Sequence, residues 1–293
     1  MKTLVVRPGA LGDTILTLPL LHTIGAQDPS GALVFLGARA YLPLVPPHVQ
    51  ARPVDDASSL WLFTDPPHGH PRSEFAFDIA YVILHSPGVV AHNLIQSGVK
   101  KVKIVQPQER MDEHLVRSLH RLAGLPVPQP EPMLRFLAPK DRLAAVWLHP
   151  GSGGPKKCAP LSTFVSISRV LSRDYKLPCV ITATDQDSFL VAQSEWRMLL
   201  EEPGNRLVMN RPIVELCREL GGAALFIGND SGIAHMAANL GIKSLLFFCA
   251  TDPQVWAPWV PSDQMRVVDC RQGLPDAEAL RSILSDVLGG SSA

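Results

Sequence analysis

The chain has 293 residues, 46% of them hydrophobic, with 27 Lys plus Arg set against 27 Asp plus Glu. That length and composition suit two folded domains and exclude a disordered chain. Balanced charge removes the electrostatic case for a nucleic-acid partner. The longest apolar runs, such as 245–250, fall far short of the ~20 residues a membrane-spanning helix needs. Arg7 and Asp13 follow the first apolar stretch too soon for a signal peptide. Cysteines 158, 179, 217, 249 and 270 form no CxxC pair and no zinc spacing. An odd, unpaired set suits a reducing compartment, so a cytoplasmic protein in peripheral contact with a membrane surface is expected.

A first strand is expected over 3–6, then the loop Arg7-Pro8-Gly9-Ala10-Leu11-Gly12 and a helix over 13–24. Gly9 and Gly12 let the backbone turn and leave space for a ligand. Asp13 stands at the helix start directly after a strand. It reads as a general base, or as a capping carboxylate worth ~1 kcal/mol to the helix. The loop lacks both the G-x-G-x-x-G fingerprint and a P-loop, which argues against a dehydrogenase or an NTPase. A second strand is expected over 33–36 and loops over the proline-rich 43–72. Strands over 79–84 and 102–105 and a helix over 113–123 follow. The alternating prolines of 125–132 favour extended polyproline geometry and read as an interdomain linker. The domains are placed at 1–138 and 139–293.

The second half restarts with a strand over 144–148 and a helix over 163–171. Strands over 179–182, 207–209, 225–227 and 244–248 then alternate with helices over 189–201, 213–220, 233–240 and 277–288. Such alternation predicts parallel sheets. Each half opens with a buried strand that runs into a Pro-Gly turn, Pro8-Gly9 and Pro150-Gly151. The reading is an α/β protein of two Rossmann-like units whose parallel sheets face a central cleft, where ligands of such sheets bind.

The turn Asn229-Asp230-Ser231-Gly232-Ile233-Ala234-His235 joins a strand to a helix. Amides and dipole at such a helix start favour an anion, so Asp230, Ser231 and His235 read as a diphosphate or sugar cradle, or as a plain cap. His149-Pro150-Gly151-Ser152-Gly153-Gly154-Pro155-Lys156-Lys157 suits phosphate through N–H groups, a hydroxyl and an ammonium, or is a solvated loop. Asp185 and Asp187 follow a strand; the readings are ribose contact, loop capping or, less favoured, a metal. Asn210 and Arg211 precede the 213–220 helix. Trp256 and Trp259 flank Pro258 and read as a ligand cover or as packing.

Together these segments resemble glycosyltransferase family 9, the ADP-heptose:lipopolysaccharide heptosyltransferases. The residues that carry the resemblance are Arg7-Pro8-Gly9-Ala10-Leu11-Gly12-Asp13 with Leu18-Pro19, then His149-Pro150-Gly151-Ser152 and Lys157 before Pro160. Asp230-Ser231-Gly232 with His235, and Thr251-Asp252-Pro253, complete the set. The match is specific at 3–24 and through the second half, and weak over about 40–135.

The resemblance implies a GT-B fold and an inverting, metal-independent transfer from a nucleotide sugar, with no cofactor. Asp13 would take the acceptor proton. Ser152, Lys157 and the Ser231–Gly232 amides would hold the donor diphosphate, Asp230 would lie at the sugar or the nearby phosphates and Arg211 near the base, with Gly12, Asp185, Asp187 and His235 also on the donor side, His235 reading equally as a core or capping residue. The implied partners are an ADP-linked sugar and a lipopolysaccharide core or related envelope glycan at the inner membrane surface. Three departures stand out. Ala159 replaces the family's usual aromatic residue, Asp185 and Asp187 do not align cleanly with a ribose carboxylate, and the acceptor half is thin in basic groups (His85, His92, Lys100, Lys101, Arg110). The competing readings are an epimerase-like enzyme or hydrolase of the same shape and a non-catalytic nucleotide-sugar scaffold.

Overall fold

Apolar runs bounded by polar turns become the strands of two all-parallel sheets. The computed structural model describes residues 1–65, 76–106, 112–139 and 145–289, and the chain divides into two units, Met1–Gln129 and Pro130–Ala293. The first unit runs β1 (Lys2–Arg7), α1 (Leu11–Gln27), β2 (Ala32–Gly37), β3 (Gln50–Pro53), α2 (Ala57–Leu60), β4 (Ile79–Val82), α3 (Gly88–Gln96), β5 (Lys101–Ile104) and α4 (Leu115–Ala123). Its strand order is β3-β2-β1-β4-β5. The second unit runs β6 (Val146–His149), α5 (Leu161–Asp174), β7 (Cys179–Ala183), α6 (Ser188–Val191), α7 (Ser194–Glu201), β8 (Arg206–Met209), α8 (Ile213–Gly221) and β9 (Leu225–Asn229). It continues with α9 (Gly232–Asn239), β10 (Ser244–Phe248), α10 (Pro253–Trp256), β11 (Met265–Asp269) and α11 (Ala277–Gly289). Its order is β11-β10-β9-β6-β7-β8. In each sheet the strand order reverses beside the unit's first strand, the place where open parallel sheets bind ligands.

Central strands are buried on both faces, which is why β1, β6, β9 and β10 are continuous apolar runs rather than alternating ones. In the second unit Phe164 of α5 meets Phe247 of β10 edge-on, ring centres 6.0 Å apart, within a core that includes Leu148, Ile181, Ile227 and Leu284. Residues 130–138 side with this unit: the Met133 amide donates to Asn239 Oδ1 at 3.1 Å and the Leu134 amide to Asn239 O at 2.9 Å.

Several elements differ from the sequence expectations. The 43–72 stretch holds β3 and α2 rather than loop alone. β3 is an edge strand ending in Pro53, a position where the missing N–H costs no ladder bond. The expected 189–201 helix breaks at Ala192 and Gln193 into α6 and α7. The helix expected from 13 begins at Leu11, so Gly12 and Asp13 lie in its first turn. α3 and β11 were not expected. Pro66, Pro67, Arg110 and Ala144 lie outside the described residues.

Pro19 lies within α1 and brings no N–H to its ladder, while its carbonyl is tied into a buried network with α4. Thr23 Oγ1 donates to Pro19 O at 3.0 Å and meets His120 Nε2 at 3.1 Å, while His120 Nδ1 bonds Val116 O at 2.7 Å. Burial holds the pKa of His120 below the ordinary 6.5, and burial lowers that of His149 as well. A lowered folded value means that the unfolded chain binds more protons below that pH. Their contribution to stability is therefore full above pH 6.5 and is lost as pH falls through the folded values. Thermal melting is expected to drop on acidification from pH 7, and His120→Gln to flatten that slope; an unchanged slope in the variant counts against the His120 share.

Candidate active site

Three neighbouring strands, β6, β9 and β10, deliver the second unit's polar cluster at their carboxyl ends. Asp230 directly follows β9. Its amide donates to Phe247 O at 3.0 Å, and its carbonyl accepts Ser152 Oγ at 2.6 Å. Asp230 is only 5% exposed, and burying a charge requires a partner. Lys157 Nζ lies 3.1 Å from Oδ2, Thr251 Oγ1 donates to the same oxygen at 2.5 Å, and His235 Nε2 stands 3.9 Å from Oδ1. Ser231 caps α9 by accepting the Ala234 amide at 3.1 Å, and Gly232 opens that helix. The structure thus joins Ser152, Lys157, Asp230 and His235 in one cluster, with Ser231 and Gly232 beside it. Lys157 keeps 40% of its side chain exposed, so the ammonium also reaches outward.

The turn after β6 has a second property. Among the described residues the amides of Gly151, Ser152, Gly153 and Gly154 donate no hydrogen bond. Consecutive amides without a protein acceptor, with the Lys157 ammonium on the same loop, suit an anion. Both ends of the surrounding loop are held by Asn229, a fully buried residue: its Nδ2 donates to Pro150 O at 2.7 Å and its Oδ1 accepts the Ala159 amide at 2.9 Å.

Asp187 lies beneath this turn rather than on its surface. It is 1% exposed, and its Oδ2 accepts the Thr184 amide at 2.8 Å and Thr184 Oγ1 at 2.9 Å. Its Oδ1 has no partner among the described residues and would stand 2.0 Å from a Cβ on residue 151, so only glycine fits there. Asp185 is exposed and exchanges two bonds with Asn210, at 3.0 and 2.6 Å. Asn210 itself adopts φ +49°, a left-handed conformation asparagine tolerates. Arg211 pairs with Glu219 at 3.2 Å and is 48% exposed. No hydrogen bond among the described residues joins Asp185, Asp187 or Arg211 to Asp230.

In the first unit the loop after β1 builds a separate pair. Arg7 is 6% exposed; its Nη2 donates to Asp13 Oδ1 at 2.6 Å and its Nη1 to Ile83 O at 3.2 Å. The Ala10 amide donates to Asp13 Oδ2 at 3.0 Å. A Cβ at Gly9 would stand 2.5 Å from the Asp13 Cβ, so glycine lets the carboxylate fold over the loop. Gly12 is half-buried in the first turn of α1. Arg7, Asn229 and Thr251 carry the fixed geometry of both clusters yet stood in the sequence only as motif members. Their pairing partners are distant in the chain or reach back across a turn, which no local spacing reveals. His85 and His92 are exposed, Lys101 is exposed, and Lys100 pairs with Asp78 at 2.6 Å. Trp259 is buried and Trp256 half-buried.

All five cysteines are free, and burial pushes the thiols of Cys158, Cys217 and Cys270 up to about 12. Among the described residues no group of three or more His, Cys, Asp or Glu side chains is placed to hold a metal ion, and no helix is long and apolar enough to cross a membrane.

Solved structures that this chain resembles include glycosyltransferases and, at TM-score 0.53, UDP-GlcNAc 2-epimerase of Methanocaldococcus jannaschii. ADP-heptose lps heptosyltransferase II of E. coli matches with TM-score 0.74 and 18% identity, covering 100% of both chains. E. coli heptosyltransferase WaaC with ADP matches with TM-score 0.72 and 15% identity, covering 98% of this chain and 100% of that one. TibC of enterotoxigenic E. coli H10407, described as a bacterial iron-containing dodecameric glycosyltransferase, matches with TM-score 0.61 and 14% identity, over 99% of this chain and 77% of that one. At such identities the likeness carries the fold: two parallel-sheet α/β units of GT-B type. No curated protein sequence matches the chain. The model of glycosyltransferase family 9 (heptosyltransferase) matches residues 106–283, more than half the length. The chain belongs to glycosyltransferase family 9, and it is a glycosyltransferase of the heptosyltransferase type.

Proposed function

We propose that this glycosyltransferase moves a sugar, heptose from ADP-heptose, to a lipopolysaccharide core or related envelope glycan, with inversion and without a metal. The single observation that carries the donor side is the convergence of Lys157, Ser152, Thr251 and His235 on Asp230 beside four unspent amides. Glycosyl transfer develops negative charge on the departing diphosphate and positive charge on the sugar ring. Fixed donors aimed at the diphosphate lower the barrier directly. Lys157, the 151–154 amides and the Ser231–Gly232 helix start serve the diphosphate, and the Asp230 carboxylate serves the sugar. In the first unit Asp13 receives the acceptor hydroxyl proton as that oxygen bonds the anomeric carbon and the carbon–diphosphate bond breaks. Arg7 and the Ala10 amide hold the carboxylate in one orientation for that step.

ADP as the nucleotide and an envelope glycan as acceptor follow the family and its relatives, whose solved structures include one with ADP-2-deoxy-2-fluoro heptose. A cytoplasmic protein that meets its glycolipid acceptor at the membrane surface fits this reading. Two experiments test it. Product formed from ADP-heptose is expected to have inverted anomeric configuration by NMR. Transfer is expected to survive EDTA, and complete loss restored by a divalent ion would contradict metal independence.

A further inference from the structure

Asn229 ties together the two ends of the 150–159 loop. Pro150 and Ala159 bracket the segment that holds the unspent amides of 151–154 and the Lys157 ammonium. Asn229 bonds both of them at once, Nδ2 to Pro150 O at 2.7 Å and Oδ1 from the Ala159 amide at 2.9 Å. The residue is fully buried and ends β9, so its backbone is fixed by the sheet while its side chain reaches the neighbouring loop. The carboxamide is the one side chain of this size that both donates and accepts in a single plane, so neither aspartate nor leucine keeps both bonds. Below the same loop Asp187 packs against Gly151, and above it Ser152 Oγ is tied to Asp230 O at 2.6 Å. Nothing else among the described side chains bonds the two ends of this loop together.

We propose that Asn229 is a positioning residue that sets the spacing of the 150–159 loop for a diphosphate, and so gives the protein its preference for a nucleoside diphosphate over a monophosphate. This rests on the donor-site reading above. Asn229 touches no ligand; it acts through the amides and Lys157, so its effect is confined to the phosphates those groups contact. A residue that merely supports the fold would weaken all nucleotides alike.

The test is calorimetric titration of wild type and Asn229→Asp with ADP and AMP, with melting temperature measured beside it. Asn229→Asp keeps the acceptor for Ala159 and sets a carboxylate oxygen against Pro150 O, which removes one bond with almost no change of shape. The expected result is an ADP-to-AMP affinity ratio at least tenfold lower than in wild type, with AMP affinity within about threefold. If the aspartate variant does not fold, Asn229→Ser is measured the same way with the same expectation. An unchanged ratio in a folded variant overturns the positioning role and leaves the donor site intact. A wild-type protein with no preference for ADP over AMP contradicts the diphosphate site itself and this inference with it. A parallel loss of both affinities assigns Asn229 to the fold alone and overturns the proposal.

Discussion

Asp13→Asn is expected to abolish transfer while leaving ADP binding unchanged. General base catalysis contributes roughly 10²–10⁴ in rate, or about 3–5 kcal/mol of barrier. The amide can still accept the Ala10 N–H, so the loop keeps its shape, but it cannot carry away a proton. Arg7 loses the opposite charge it donates to at 2.6 Å and is itself 6% exposed. A modest fall in melting temperature should therefore accompany the loss of rate. ADP affinity is the control, because the nucleotide is assigned to the other unit. Turnover equal to wild type would remove Asp13 from the chemistry, and weakened ADP binding would mean that the first unit contributes to the donor.

Lys157→Ala should raise the ADP dissociation constant more than tenfold, about 1.4 kcal/mol or above. The change deletes the ammonium 3.1 Å from Asp230 and leaves a buried carboxylate without that cation. Two consequences follow from one cause. The phosphates lose a charge-assisted contact, and the empty protein loses stability because a buried charge is left unpaired. Lys157→Arg should recover the stability better than the affinity, since a guanidinium keeps the charge but not the compact geometry. An unaltered ADP affinity in Lys157→Ala would take the lysine out of the phosphate site and leave it as the counter-ion of Asp230 alone.

Local pattern was enough for much of this molecule. Strand, turn and helix around Arg7–Asp13 and around Asn229–His235 could be read from apolar runs broken by glycine and polar residues, because central parallel strands are buried on both faces and therefore plainly apolar. The edges could not. β3, Gln50–Pro53, and β11, Met265–Asp269, have partly exposed residues and no clean alternation, and they are strands because β2 and β10 offer free ladder groups beside them. α3 opens on Gly88, Val89 and Val90 without a side-chain cap and is stabilised by packing, with Asn93 Nδ2 bonding the carbonyls of Trp61, Leu62 and Thr64.

The site divides along the same line. Ser152, Lys157 and Asp230 sit on loops, and His235 on the helix, that follow the neighbouring strands β6 and β9, so motif order alone brought them to one place. The roles of Asn229, Thr251 and Arg7 depend on distances across the fold. Asp187 shows the limit from the other side: a carboxylate after a strand looks like a ribose contact in sequence, yet here it is buried and bonded to Thr184. Asp185 and Arg211 remain on the outer strand ends, paired with Asn210 and Glu219.

The central claim is that the second unit is an ADP-preferring donor site that needs no metal. It is tested most directly by calorimetric titration of the wild-type protein with ADP, UDP, GDP and CDP, first without metal and then with magnesium. The account predicts tight binding of ADP over the other three, with the same affinity in both buffers. Binding of none of the four, preference for another nucleotide, or binding that appears only with magnesium would contradict it.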